Sequence, residues 1–360
     1  MKQYLCLSDT PWRGVPGRTQ QLMLRMKEAR ILFFEPAEGS KGHYKKPGRK
    51  VRPEITVYTL PPVFSISEKY TYLYERQQRR LASYIAGISA RRRGDRPVIW
   101  CTSPEFINLL DDIPHSGLIY DCCRDWSDLP IHWESELALQ ADLIFAASPC
   151  LAEHLAPCSD NIALLPNGAN HTAFSKQGLP VPVELADQRG SILGYVGTVG
   201  RHLELLPVLR AAMDLPRCTF VFVGKVEENP LLRKLNSLPN VRFLGYRPAL
   251  EIPEYVSQFS VCLNLLNRRE QDEDIIPTRV YEYLSTGIPI VSMLFPDQIE
   301  DYPDVIYGAH SADEFSSLCS RAINETGDWA RQRRRDYGAA SSWSARAERV
   351  KEILSDLSLY

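Results

Sequence analysis

The sequence predicts an α/β protein built from two Rossmann-like, doubly wound domains that face across a cleft. Three observations predict it. The 360 residues exceed what one ordinary core organises, and roughly 150 residues per domain gives two. Short apolar runs alternate with helical segments in a βαβ order. That order restarts after Pro166-Asn167-Gly168-Ala169-Asn170-His171-Thr172-Ala173-Phe174, a turn-rich crossing. The expected divisions are 1–170, 171–340 and a C-terminal helix over 341–360.

In the first half, Lys2 to Ser8 reads as a buried strand, Thr19 to Ala29 as a helix and Ile31 to Glu35 as the next strand. Ligands of doubly wound sheets sit beyond the carboxyl ends of strands, which puts Trp12, Arg13 and Arg18 in the first loop at a cleft. An ordinary Gly/Pro connection with solvated arginines is the alternative. From Tyr70 to Arg93 a basic helix is expected, with Leu81, Tyr84, Ile85 and Ile88 at helical spacing toward the core. Val98 to Cys101 and Leu118 to Tyr120 are short strands. The second opens onto Asp121 and Asp125, acids placed where a hydroxyl nucleophile would lose its proton; helix capping is their bland alternative. Cys150, His154 and Cys158 recur at i, i+4 and i+8, which reads as a core-facing stripe, since a metal face would need a partner pattern. Ile162 to Leu165 closes this half.

In the second half, Ser191 to Val196 is a strand that leads into the small-residue turn Gly197-Thr198-Val199-Gly200-Arg201. Its glycines permit close approach of a phosphate that Arg201 could neutralise. Thr219 to Val223, Val241 to Leu244 and Ser260 to Leu265 are further strands. Beyond them, Asp274 to Met293 reads as loop, helix and strand, with Pro277 in the first helical turn, Gly287 as C-cap and Ile288 to Met293 as the strand. A helix that opens from a loop offers unpaired N–H groups and a positive dipole end to a diphosphate. Arg279 and Glu282 lie in its first turns, one suited to the diphosphate and the other to ribose hydroxyls. An exposed i, i+3 ion pair is the competing explanation. Glu314 to Asn324 and Ser344 to Leu357 complete the helices.

Composition narrows the classes. No run of about 18 apolar residues exists, so no membrane-spanning helix is expected, and the first residues lack the apolar core of a signal peptide. Nine scattered cysteines without a Cys-x-x-Cys pair suggest free thiols in a reducing compartment. Residues 1–100 hold 20 Lys and Arg against 8 Asp and Glu, a balance of +12, so the remainder carries −14 of the net −2. This skew, with the basic stretch Lys41 to Arg52, points to an anionic membrane surface or a phosphate-bearing acceptor. No nucleic-acid recognition motif accompanies it. The expected place is cytoplasmic, with a peripheral position on the inner face of the cell membrane left open.

The second half resembles bacterial glycosyltransferases of the GT-B fold, especially family 4. Asp274, seven residues, then Glu282, followed by Gly287-Ile288-Pro289-Ile290-Val291, matches that family's acid-x7-Glu frame and its following strand. Two departures are the first acid, Asp rather than Glu, and Arg279 where many relatives carry Lys. Leu238-Pro239-Asn240-Val241-Arg242-Phe243-Leu244-Gly245-Tyr246 resembles the family's nucleobase-proximal strand, the Pro166 crossing resembles its interdomain linker, and Trp343 with the helix after it resembles its tail, which crosses back and packs on the first domain. The resemblance implies transfer of a sugar from a UDP- or GDP-type donor to a glycan or lipid-linked hydroxyl, without a metal or other cofactor, in cell-surface polysaccharide synthesis. It places the donor against Gly197, Thr198, Val199, Gly200, Arg201, Gly245, Tyr246, Arg247, Pro277, Thr278, Arg279, Tyr281 and Glu282. Asp274, near the donor sugar, is a catalytic candidate together with Asp125 and Asp121 on the acceptor side, where the resemblance also places Trp12, Arg13 and Arg18 of the first loop. An Asp125 base would fit inversion, whereas the family likeness favours retention. Asp272-Glu273-Asp274 has the form of an Asp-x-Asp metal triplet, which this fold does not usually use. A sugar-nucleotide epimerase of the same fold and a non-catalytic binding subunit are the alternatives.

Overall fold

The computed structural model describes residues 2–12, 16–37, 47–63, 71–90, 95–265, 274–293, 302 and 304–360. The chain forms two compact units, one of Met1–Pro166 with Arg346–Tyr360 and one of Asn167–Ala345.

The first unit holds strands β1 (Gln3–Leu7), β2 (Arg30–Glu35), β3 (Arg49–Lys50), β4 (Ile55–Thr59), β5 (Val98–Cys101), β6 (Gly117–Cys122), β7 (Leu143–Ala146) and β8 (Ile162–Leu164). They lie in the order β3-β4-β2-β1-β5-β6-β7-β8. Every pair is parallel except β3 with β4. Helices α1 (Arg18–Met23), α2 (Thr71–Ser89), α3 (Ile107–Leu110), α4 (Ile131–Gln140) and α5 (Pro149–Leu155) connect them. A parallel sheet covered on both faces needs strands that are apolar throughout, and β1, β2, β5 and β7 are buried almost end to end. Strand order reverses between β1 and β5, which fixes the crevice of this unit.

The second unit contains α6 (His171–Phe174), β9 (Ile192–Val196), α7 (Leu206–Asp214), β10 (Thr219–Val223), α8 (Leu232–Asn236), β11 (Val241–Gly245), α9 (Ile252–Val256), β12 (Val261–Asn264), α10 (Thr278–Thr286), β13 (Ile290–Met293), β14 (Ile306–Ala309), α11 (Ala312–Ile323) and α12 (Asp328–Ala340). Its sheet runs β11-β10-β9-β12-β13-β14, all parallel, with the reversal between β9 and β12. Helix α13 (Trp343–Asp356) begins here and carries the chain into the first unit. There Tyr4 Oη donates to the Leu359 carbonyl at 2.6 Å, and the Leu359 side chain lies over Gly117.

Several expectations change. The stripe on α5 that faces the core is Leu151 and Leu155, whereas Cys150 and His154 point outward and Cys158 lies beyond the helix. Pro277 is the extended N-cap residue of α10, one position before the first turn. Helix α12 was not anticipated, because Asp328 to Ala340 is strongly polar. Its Arg334 is buried: it donates to the Gly287 carbonyl (2.9 Å) and the Val305 carbonyl (3.2 Å) and pairs with Glu325. Gly338 lets α12 close on α10, since a Cβ there would lie 2.5 Å from the Ser285 nitrogen.

Candidate active site

The second sheet's reversal point is lined by strand exits. A Cβ on Gly224, after β10, would lie 2.0 Å from the Gly197 carbonyl oxygen, after β9, so the two backbones meet directly. Gly197 N–H donates to the Val223 carbonyl and Gly224 N–H to the Gly245 carbonyl, both at 2.9 Å. Gly197 and Gly224 hold φ values of 141° and 150°, conformations that side chains rarely adopt. A compact backbone ledge thereby forms from the ends of β9, β10 and β11.

Helix α10 presents Arg279 to this ledge. Its Nη1 donates to Tyr195 Oη, its guanidinium carbon lies 4.8 Å from the Tyr195 ring centroid, and Nη1 comes within 2.9 Å of where a side chain on Gly197 would begin. One turn later Tyr283 Oη accepts from the Val196 N–H at 2.9 Å. Two tyrosines therefore pin the start of α10 to the end of β9. Burial lowers the Arg279 pKa, and it pushes Glu282 from 4.5 up to about 7 against the opposing pull of Arg279. This arrangement excludes the exposed ion pair that spacing alone allowed. Asn264, fully buried at the end of β12, donates to Ser292 Oγ at 3.0 Å, and its Oδ1 has no partner among the described residues.

The remaining donor-side candidates separate. Val199 is buried and extends the β9 edge through its N–H to the Lys225 carbonyl (2.7 Å), with Thr198 and Gly200 beside it in the turn. Thr278 opens α10 after Pro277. Tyr281, only 1% exposed, packs with Val280 and Leu284 in the core, so its side chain is not available to a ligand. Asp274 is also buried. Arg201 turns outward to the exposed Glu228 at 3.2 Å. Gly245 ends β11, Tyr246 is exposed, and Arg247 is held by Glu184 (2.5 Å) and Tyr255 Oη (2.7 Å). Sequence reasoning missed Tyr195, Tyr283 and Asn264. For Tyr283 a signal existed, since it lies four residues after Arg279 on the same helix face.

In the first unit Asp121 is part of β6 and fully buried, with Oδ1 accepting from Arg18 Nε (3.0 Å) and Nη2 (2.8 Å). This corrects its reading as a base beyond the strand end: the carboxylate is committed to a guanidinium inside the fold. Burial alone would lower the Arg18 pKa, but Asp121 outweighs it and raises it. Asp125 is exposed, and its Oδ1 accepts from the Ser127 N–H at 2.7 Å, a turn rather than a cap of α4. Trp12 donates its backbone N–H to Glu35 (2.8 Å) and sets its ring edge-on to Phe33. Arg13 and the Asp272-Glu273 part of the triplet lie outside the described residues.

A family model described as glycosyl transferase-like matches residues 201–353, which contain α10 and both of its departures. The chain has the GT-B glycosyltransferase fold. The protein is 24% identical over 283 residues to TuaH of Bacillus subtilis (strain 168), whose name assigns it to teichuronic acid biosynthesis; the match spans 71% of each chain. Among solved structures it resembles a sucrose-phosphate synthase from Thermosynechococcus elongatus, with a TM-score of 0.72, 16% identity and 99% of both chains covered. It also resembles an E. coli trehalose-6-phosphate structure bound with UDP-2-fluoro glucose (TM-score 0.75, 12% identity, 98% and 99% covered). A third is an α,α-trehalose-phosphate synthase from Burkholderia xenovorans in complex with glucose-6-phosphate (TM-score 0.74, 12% identity, 99% and 100% covered). These likenesses establish the fold. Among the described residues, no helix is long and apolar enough to cross a membrane.

Proposed function

We propose that the enzyme transfers a sugar from a UDP-sugar to a hydroxyl of a glycan or lipid-linked acceptor in bacterial cell-surface polysaccharide synthesis. The observation that carries the donor assignment is Arg279, held against the glycine ledge at the start of α10. A diphosphate there meets a cation that is already oriented, unpaired helix N–H groups and a backbone without side chains. In the transfer, an acceptor oxygen bonds to the anomeric carbon as the bond from that carbon to the diphosphate oxygen breaks, and the hydroxyl proton passes to the departing diphosphate oxygen. Charge gathers on the diphosphate, where Arg279 and the α10 N-terminus stabilise it without a metal ion. Glu282 accepts from the ribose hydroxyls, and the exposed Tyr246 ring covers the base.

The UDP assignment draws on the E. coli neighbour bound with a UDP-sugar and the polysaccharide context on the TuaH likeness. The enzyme works in the cytoplasm, with the basic stretch of residues 1–100 against anionic lipid.

A thermal-shift series with UDP, GDP and ADP tests the donor reading. At about 100 times its dissociation constant UDP stabilises by roughly 2.7 kcal/mol, a rise of a few degrees in Tm. Arg279→Ala should abolish this rise. A response to UDP that survives the substitution would remove Arg279 from the site.

A further inference from the structure

The first unit holds a cavity of about 620 Å³ at the carboxyl ends of β1, β2, β4 and β5, on the point where its strand order reverses. Its volume falls within the roughly 300–1,000 Å³ of small-molecule sites. Of the acceptor-side residues expected from sequence, neither Trp12 nor Arg18 lines it. One wall is a single face of α2, where Tyr74, Gln77, Gln78 and Leu81 recur at i, i+3, i+4 and i+7. The Tyr74 ring stacks with Trp133, centroids 6.4 Å apart and planes 24° apart. The lining also carries two carboxylates. Asp9 follows β1 and accepts from Thr102 Oγ1 at 2.7 Å, and Glu105 sits at the rim in a turn capped by Ser103.

Gln78 is the informative residue. It is 7% exposed, lines the cavity, and its Oε1 has no hydrogen-bond partner among the described residues. Buried carbonyl oxygens are almost always paired, so this one is poised for a donor that enters the cavity. Charge restricts that donor. The described lining contains Asp9 and Glu105 and no Lys, Arg or His. Partial burial first, and then Asp9, raise the Glu105 pKa, so the two carboxylates already repel. Arg124 moderates them from nearby, but its guanidinium stacks 3.6 Å from the Trp126 ring centroid and bonds to Asp128. A phosphate or uronate would add a third negative charge, whereas an uncharged sugar supplies hydroxyl donors and an apolar ring face for the aromatic pair.

We propose that this cavity binds the terminal neutral pyranose of the acceptor, with Gln78 and Glu105 selecting an uncharged, hydroxyl-bearing ring. The assignment rests on the glycosyl-transfer reading but involves no residue of the donor site. Its test is saturation-transfer NMR on the whole protein, with methyl glucoside, galactoside, mannoside and N-acetylglucosaminide set against hexose 6-phosphates and methyl hexuronides. The wild type, Gln78→Leu and the rim variant Glu105→Lys are compared, each also titrated with UDP. At least one neutral glycoside should bind the wild type and weaken on the order of tenfold in Gln78→Leu. Glu105→Lys, exposed and tolerant of change, should admit the anionic sugars. All three proteins should keep one UDP response. Equal neutral binding in all three, anionic sugars bound as well as neutral ones by the wild type, or no glycoside contact even with UDP present would overturn the proposal. Glycoside binding without a UDP response would sink the donor reading and leave the cavity assignment standing.

Discussion

Glu282 shows how a single residue couples the site to pH. Its carboxyl is raised from 4.5 to about 7 in the folded chain, so between those values the native state holds a proton that the unfolded state has lost. Stability from this group therefore falls as pH rises from about 4.5 to about 7 and stays low above. Glu282→Gln removes the penalty. Its Tm should match the wild type near pH 4.5 and exceed it progressively up to pH 7, beyond which the gap stays constant. A gap independent of pH would mean that the carboxyl is not buried as described. Ribose hydroxyls bonding to the ionised form would lead UDP to bind more tightly above pH 7 than below. At this scale the sequence disclosed Arg279 and Glu282 through their place after Pro277. It could not disclose that Tyr195, 84 residues earlier, would fix the guanidinium. The same limit misassigned Asp121, because nothing local says that a strand continues two residues further and meets Arg18.

Among elements, α12 governs α10 from behind. Arg334 reaches the Gly287 carbonyl at the C-cap of α10 and pairs with Glu325, and both side chains are largely removed from water. Arg334→Met keeps most of the packing but strands Glu325 and the C-cap carbonyl. A buried pair broken on one side costs roughly 3–5 kcal/mol, and about 3 is expected here. The urea midpoint of the second unit should fall with little change in slope, and adding Glu325→Leu should recover part of the loss. This helix escaped the sequence reading because its apolar stripe is thin and its key contact is an arginine. In α2 the opposite held: Leu81, Ile85 and Ile88 gave the core face directly. The same face continued upstream as Tyr74, Gln77 and Gln78, where polar residues obscured the pattern and a cavity replaced the core.

Across the whole molecule, the parallel α/β architecture was legible because buried parallel strands must be apolar along their length. The return of the tail was legible too, since Trp343 and the helix after it resemble a tail that crosses back, and Arg346–Tyr360 do belong to the first unit. Removal of everything after Ala345 would delete the Tyr4 to Leu359 hydrogen bond and uncover Gly117. The truncated protein should show an early urea transition for the first unit, while the second unit keeps its own midpoint and its UDP response. A single unchanged transition would argue that the tail is dispensable.

That return of the tail also sets a schedule for synthesis. Tyr4 and its partner Leu359 are 355 residues apart in the chain, and at roughly 5–20 residues per second the ribosome takes about 20–70 s to make the second after the first. The second unit is contiguous and can close earlier. The sheet that is translated first is therefore completed last, and chaperones have their longest opportunity at β1.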